Sequence, residues 1–217
     1  MHAPGAADRI TYAGRADLRA DGSATLELTL TFEGNRAIAW RSALDHVPQA
    51  KLYDFVEREI VASAFDGGHV REMKVEATEA DTPLVMHLRV DVPDMAKPVA
   101  GSGLALRPPF APNLAQLASL PTRHTPLLRR ASWHAEIRVR VVLPESAKMP
   151  TDLPQGEERD GAAYVVVKDA VHGHAIDFDR VLEVPAARVA PGEEYGAWLR
   201  FVRAADALIT RDVAIGH

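Results

Sequence analysis

The sequence predicts a mainly β protein, namely an antiparallel β-sandwich-like domain with two or three appended amphipathic helices. Segments in which apolar and polar residues alternate recur along the chain, as expected for strands that have one buried face. Other segments carry apolar residues at helical spacing. The 217 residues, of which 47% are hydrophobic and 25% charged, suit one β-rich domain that spans residues 1–217.

The first predicted element is a β-hairpin. Segment 24–32 (ATLELTLTF) alternates leucine or phenylalanine with threonine or glutamate, so one face of this strand is apolar. Asp21-Gly22 precedes the segment, and this dipeptide is typical of tight hairpin turns. Segment 10–19 (ITYAGRADLR) is then the antiparallel partner strand.

The same alternation predicts strands at 84–92 and 133–143. Further strands are expected at 69–77, 162–168 and 174–184, because Gly, Pro or Asp residues bound each of these segments. Strands that each have one polar face favour an antiparallel sandwich. Its core should contain Leu28, Leu30, Leu88, Ile137, Val139 and Val141, whereas Glu27, Arg89 and Arg138 should be exposed.

Helical spacing appears in two longer segments and one shorter segment. Residues 48–62 begin at Pro48, which suits the first turn of a helix, and their apolar stripe contains Leu52, Phe55, Val56 and Ile60. A second stripe lies in residues 193–209 and contains Tyr195, Trp198, Leu199, Val202, Ala205 and Ile209. A shorter helix is expected at 35–43. These helices should pack against the strands.

In segment 93–126 neither the alternation of a strand nor the spacing of a helix continues. Its prolines and the triplet Gly101-Ser102-Gly103 predict a long Pro/Gly-rich connecting loop, with one short helix near 113–120. Prolines remove backbone hydrogen-bond donors and the triplet lowers local order. We therefore expect this loop to be the most protease-sensitive internal region.

The overall charge argues against nucleic acid as a partner. A formal net charge of -5 and a pI near 6.0 provide no general attraction to phosphate backbones, so binding would need a local basic stripe. The best candidates are Arg129-Arg130 and the pair Arg138 and Arg140, which are short and flanked by glutamates. We therefore expect no nucleic-acid partner.

The chain contains no cysteine, which excludes disulfides, cysteine-ligated zinc and a thiolate nucleophile. Its longest apolar stretches are broken by Arg, Asp or Glu well before the roughly 18 residues that a membrane span requires, so no membrane insertion is expected. The polar start after Met1 has no hydrophobic signal core, and any export signal is expected to lie outside the chain.

His172 and His174 are the most metal-like pair. Residues two apart on a strand project to the same face, so both imidazoles could ligate zinc or copper. A complete site needs a third and usually a fourth ligand, for which Asp169, Asp177 and Asp179 are the nearest candidates. A metal-dependent or other hydrolase that uses His172, His174 and a nearby aspartate is therefore the alternative function. We favour a turn or edge strand at this position, because histidines are spread along the whole chain.

Other catalytic constellations are missing from the sequence. No serine lies in a G-x-S-x-G context, and neither G-x-G-x-x-G nor G-x-x-x-x-G-K occurs. Asp177 and Asp179 share a predicted strand face, whereas paired glycosidase carboxylates normally come from separate elements that flank a cleft. The sequence thus predicts a protein that is not an enzyme, with no catalytic, cofactor-binding or metal-binding residues and no cofactor.

Three stretches together resemble a bacterial family. Gly34-Asn35-Arg36-Ala37-Ile38-Ala39-Trp40-Arg41 follows the hairpin and has the pattern G-x-x-A-x-x-x-R. Leu143-Pro144 ends a predicted strand, and Leu153-Pro154 comes soon after. Pro191-Gly192-Glu193-Glu194-Tyr195 leads to Phe201. This order is similar to the C-terminal β domain of unknown function that follows the transglutaminase-like core in bacterial multi-domain proteins.

The resemblance implies an architecture rather than an activity. In such proteins the transglutaminase-like core supplies the Cys-His-Asp machinery, which a chain without cysteine lacks. Gly34, Ala37 and Arg41 would form a crossover element between sheets, and Tyr195 with Phe201 would anchor the closing helix. We therefore expect a non-catalytic accessory or protein-interaction domain, which binds other domains of the same polypeptide or a protein partner. Such proteins are often exported, so the resemblance also implies a periplasmic or cell-surface setting.

Overall fold

All the strands that alternation predicts are present. The computed structural model describes residues 8–76, 82–99 and 103–216, so residue 77 of the strand expected at 69–77 lies outside the described residues. In chain order the strands are β1 (Arg9–Leu18), β2 (Ala24–Glu33), β3 (His69–Glu76), β4 (Leu84–Val92), β5 (Ala96–Val99), β6 (Gly103–Leu106), β7 (Leu127–Arg129), β8 (Trp133–Val142), β9 (Gln155–Asp160), β10 (Ala163–Lys168), β11 (Ala170–His172), β12 (Ala175–Val184), β13 (Ala187–Val189) and β14 (Val213–Gly216).

The helices expected at 35–43 and 193–209 are α1 (Asn35–His46) and α3 (Glu193–Ile209). Segment 48–62 is less regular, because a 3-10 turn and α2 (Leu52–Val56) lead into a π-helical turn, Glu57–Val61. A π turn places residues five apart on the same side. Val61 can therefore join Val56 in the core, where both are buried. No helix in the described ranges is long and apolar enough to cross a membrane.

Most strands belong to one nine-stranded sheet. Its order is β3-β4-β2-β1-β8-β12-β10-β9, and β11 also pairs with β12. β1 and β8 are parallel neighbours at the centre, whereas the other neighbouring strands are antiparallel. Two small sheets, β14-β6-β5 and β13-β7, complete the fold. The predicted mainly β class with appended helices is confirmed.

The core lies on one face of the large sheet. Inward residues of the sheet form one buried cluster with residues of α3, the π turn and the β14-β6-β5 sheet, which gives a layered, sandwich-like arrangement. The residues predicted to be buried are indeed buried: Leu28, Leu30, Leu88, Ile137, Val139 and Val141. Glu27, Arg89 and Arg138 are exposed, as predicted. The alternation therefore assigned the faces of these strands correctly.

Segment 93–126 contains more regular structure than the predicted loop. It includes β5, β6 and a 3-10 helix, Leu114–Ala118, and the last of these confirms the short helix expected near 113–120. β6 pairs with β14 at the far end of the chain, a non-local contact that no pattern within the segment can reveal. Gly101 and Ser102 of the triplet lie outside the described residues.

The turn of the first hairpin requires its glycine. Gly22 has φ 88°, and a Cβ atom there would lie 2.1 Å from the carbonyl oxygen of Ala96. The Ala96 N–H in turn donates to the Gly22 carbonyl oxygen at 3.0 Å. Glycine at this position therefore permits both the left-handed backbone and the close approach of β5.

A buried arginine joins the large sheet to the end of α3. Arg180, on the inner face of β12, and Asp169 are both fully buried. Arg180 Nε donates to Asp169 Oδ1 at 3.1 Å, Nη2 donates to Asp169 Oδ2, and Nη1 donates to the carbonyl oxygen of Ile209. Burial raises the pKa of the Asp169 carboxyl, and the hydrogen bonds and charge of Arg180 oppose that rise.

Replacing inward strand residues should destabilise the protein. We expect Leu28→Ala and Ile137→Ala each to lower the free energy of unfolding by about 2–5 kcal/mol, because each leaves a cavity in the core. Glu27→Ala, at an exposed position of β2, should change it by less than about 0.5 kcal/mol. Urea unfolding measures all three variants. Unchanged stability in both core variants would contradict the strand register.

Removing Arg180 should destabilise the protein at least as much as these core replacements. Arg180→Ala should lower the free energy of unfolding by about 3–5 kcal/mol, because Asp169 then lacks its buried counter-charge. Asp169 would bind a proton in the folded state at pH values where it is ionised in the unfolded chain, so the loss should shrink as the pH falls. Urea unfolding at several pH values tests both effects. Arg89→Ala, an exposed arginine of the same sheet, is the control, and an equal loss in the two variants would refute the role of Arg180.

Candidate functional site

The two histidines of the metal-like pair have separate partners. His172 pairs with Ala175 at the end of β11, so Gly173 and His174 form the tight turn into β12. His172 Nδ1 lies 2.7 Å from Asp177 Oδ2, whereas His174 Nε2 lies 2.7 Å from the carbonyl oxygen of Pro144. Asp169 binds Arg180 instead, and no group of three His, Asp or Glu side chains in the described ranges is arranged to hold a metal ion.

A third histidine, which sequence reasoning did not single out, is buried on the outer face of the sheet. His134 Nδ1 lies 2.6 Å from Glu183 Oε2, and its Nε2 lies 3.0 Å from Glu136 Oε1. Burial alone would raise the pKa of Glu136, but the hydrogen bond from His134 and the charge of Arg138 outweigh it and lower that pKa. Both ring nitrogens face carboxylates. The cluster therefore links β8 to β12 on the outer face of the sheet.

A row of alternating charges crosses the outer face of the large sheet. The cross-strand neighbours are, in order, Glu72, Arg89, Glu27, Arg15, Arg140 and Asp177. Opposite charges directly across strands stabilise a sheet, by roughly 0.2–1 kcal/mol per pair. The exception is the parallel pair, where Arg15 faces Arg140. Each of these arginines has its own acid, because Arg15 binds Asp17 at 3.0 Å and Arg140 lies 3.7 Å from Asp177.

An open groove of about 660 Å³ lies on this charged face. Its lining combines the short residues Ala13, Gly14 and Thr29 with longer charged side chains from β1 to β4. The groove forms because small side chains lie between longer ones on the surface of the sheet. Arg89 in its lining is paired with Glu72 at 3.5 Å, so the groove offers a partner little net charge.

The surface around α3 differs from this paired face. Three contacts hold α3 to the segment 114–120: the Tyr195 hydroxyl donates to the Leu120 carbonyl oxygen at 2.5 Å, Trp198 Nε1 donates to that of Leu117 at 3.2 Å, and Asp206 Oδ1 accepts from the Leu114 N–H at 2.7 Å. The expected anchoring role of Tyr195 is thus visible as a specific hydrogen bond. The segment after residue 120 consequently runs beside the N-terminal half of α3.

Two arginines of that segment lie over aromatic rings of α3. The guanidinium carbon of Arg129 is 3.9 Å from the ring centroid of Trp198, and that of Arg123 is 5.8 Å from the centroid of Tyr195. Burial lowers the pKa of the Arg129 guanidinium, while the charge of Asp160 opposes that shift. Within the described residues, Arg129 Nε and Nη1 are buried without a hydrogen-bond partner, and the close contact of this guanidinium is with the indole ring of Trp198.

Further arginines lie on the same segment and on the elements that pack against it. We define the arginine corner as the arginines of the 121–131 segment, β13 and α3, namely Arg123, Arg129, Arg130, Arg188, Arg200 and Arg203. None of them lies within 4.0 Å of a carboxylate oxygen in the described part of the chain. Leu120 and Leu128 are 49% and 57% exposed beside them. The corner thus combines arginines that have no carboxylate within 4.0 Å in the described residues with exposed apolar side chains.

The residues behind the family resemblance have structural roles. Gly34 precedes α1 with φ 65°, Ala37 is buried, and Arg41 donates to the Thr82 carbonyl oxygen at 2.5 Å. The connection that begins with α1 joins β2 to β3 within one sheet. The expected crossover between two sheets is therefore wrong. Phe201 is buried against Trp198, with ring centroids 5.2 Å apart, as expected for a residue that anchors the closing helix.

Sequence reasoning found only part of this corner. Arg129-Arg130 stood out as adjacent cations. Arg188 is distant in sequence and lies opposite Leu128 only through β13–β7 pairing, and Arg200 belongs to α3, which packs against the 114–120 segment. No family model, curated protein or solved structure matches the chain.

The separation of His172 from His174 predicts the outcome of a metal analysis. Protein purified without chelators should contain zinc or copper well below one equivalent per chain, because each imidazole already has another partner and the described residues form no group of three potential ligands. Elemental analysis of the unaltered chain and of His174→Ala should give the same low content. Stoichiometric metal that disappears in His174→Ala would instead favour the hydrolase alternative.

Proposed function

We propose that the chain is a non-catalytic accessory domain of a larger bacterial transglutaminase-like protein, and that it binds another protein domain through the arginine corner. The observation that carries the proposal is the contrast between its two surfaces. Arg15, Arg89 and Arg140 on the outer face of the sheet each lie within 4.0 Å of a carboxylate, whereas no arginine of the corner does so in the described residues, and Asp160 acts on Arg129 only from a longer distance. Cations without a close carboxylate, next to exposed leucines, are suited to an interface.

The residue types at the corner also fit an interaction surface. Tyrosine, tryptophan and arginine dominate the energetics of protein interfaces, and here Tyr195 and Trp198 hold Arg123 and Arg129 in place. Side chains that are already ordered lose less conformational entropy on binding. The histidines and the buried aspartate that could serve catalysis are engaged in contacts within the fold.

Gene context and binding together test the proposal. The segment encoded directly before this chain in the same reading frame should be a transglutaminase-like core with a Cys-His-Asp set. Expressed separately, that segment should bind this chain with a dissociation constant on the order of 1–100 µM, since domains of one polypeptide need only modest affinity. Isothermal titration calorimetry measures this constant.

His174→Ala is the control for this experiment, because its turn at the end of β11 is not part of the corner. This variant should bind as tightly as the unaltered chain. A reading frame without a transglutaminase-like core, or a core that gives no binding signal at concentrations on the order of 1 mM, would refute the proposed function.

A further inference from the structure

We propose that the partner of the arginine corner is a carboxylate-rich protein segment with interspersed apolar side chains, contributed by another domain of the same polypeptide. This inference rests on the proposed function and specifies the chemistry of the partner. It follows from the charges at the corner, the ordering of its arginines and the exposed leucines beside them.

Three exposed arginines of the corner have no close carboxylate in the part of the chain that the structure describes. Arg130, Arg188 and Arg200 are exposed and have no carboxylate within 4.0 Å in the described residues. Glu193 and Glu194 are exposed in the first turn of α3, where acids favour the helix N-terminus. Carboxylates accept paired hydrogen bonds from the planar guanidinium group, so aspartate and glutamate side chains are suitable partners.

The two stacked arginines fix the geometry of this surface. The rings of Tyr195 and Trp198 limit the orientations of Arg123 and Arg129. With Nε and Nη1 of Arg129 buried, only its remaining amino group is left for a partner outside the fold. A partner must therefore approach along the surface of α3 and place individual acids at defined positions, which a folded or extended protein segment can do.

The exposed leucines at the corner favour a protein partner over other polyanions. Leu120 and Leu128 lie beside the arginines, and a nucleic-acid backbone offers no apolar surface to cover them. The formal net charge of -5 on the whole chain also repels extended polyanions such as duplex DNA and anionic membranes. A short segment that alternates acids with apolar residues satisfies both the arginines and the leucines.

A labelled peptide provides the direct probe. We would measure the fluorescence anisotropy of a fluorescein-labelled glutamate-rich peptide with interspersed leucines, and of the same peptide with glutamine in place of glutamate. The acidic peptide should bind and its affinity should fall as salt is raised. The glutamine peptide should bind at least about tenfold more weakly, the ratio that corresponds to 1.4 kcal/mol. Equal binding of the two peptides would overturn the inference.

The matched protein variants reverse exposed charges. The triple variant Arg130→Glu, Arg188→Glu and Arg200→Glu should lose at least about tenfold in affinity for the acidic peptide. These side chains form no hydrogen bond in the described residues, so circular dichroism and urea unfolding should show an unchanged fold. Lys51→Glu and Lys168→Glu, two exposed cations outside the corner, should bind as the unaltered chain does. Should the triple variant unfold, Arg200→Glu alone should still weaken binding measurably.

The last measurements compare the binding of other polyanions and of the neighbouring domain. Tighter binding to a DNA duplex, or to vesicles containing anionic lipid, than to the acidic peptide would overturn the inference in favour of that ligand. If the neighbouring domain binds the unaltered chain and the triple variant equally, the inference and the proposed role of the corner as docking surface are overturned, whereas the accessory role of the chain, which that binding supports, is retained. If the neighbouring domain binds the unaltered chain but not the triple variant, the result supports both the inference and the proposed function.

Discussion

The placement of α3 depends on one buried ion pair. A charged group in an apolar interior is tolerated only when its hydrogen-bonding capacity is met, and Arg180 meets it with both carboxylate oxygens of Asp169 and the carbonyl of Ile209. Gln155 donates in turn to the backbone carbonyl of Asp169 at 3.1 Å. Parts of β9, β12 and the last turn of α3 therefore share one network, and a shift of any of them would leave a buried charge unsatisfied. The network restricts α3 to one position on the sheet.

The position of α3 determines in turn where the arginine corner forms. With the end of α3 held by Arg180, the hydrogen bonds of Tyr195 and Trp198 align the 114–120 segment with its N-terminal half. Arg123 and Arg129 can then reach the aromatic rings. The buried pair of Arg180 and Asp169 thus contributes to the packing of α3. That packing in turn gives Arg123 and Arg129 at the surface a defined geometry.

Patterns within single segments predicted the elements, but not their long-range pairing. Alternation in β2 and β8 identified both strands and their buried faces, since the period of two depends only on which side meets the core. It could not show that β1 and β8 are parallel neighbours, or that β6 pairs with β14. The sequence likewise offered Asp169 only as a candidate metal ligand and gave no sign of its pairing with Arg180, because the burial of both residues depends on a helix that comes later in the chain. The corner was found only at Arg129-Arg130, the one place where its cations are adjacent in sequence.

The topology explains why Arg123, Arg129 and Arg130, which we propose as interaction residues, lie in the connection between β4 and β8. β4 is antiparallel to β2, and β2 is antiparallel to β1, so β4 runs in the same direction as β1 and β8. Parallel strands cannot be joined by a tight turn, so the chain must return along the whole sheet before β8 begins. It does so across the inner face, where Leu104, Leu106 and Leu114 are buried. Unlike the sheet strands, this return carries few cross-strand neighbours that could neutralise its arginines, and so Arg123 and Arg130 remain available to a partner.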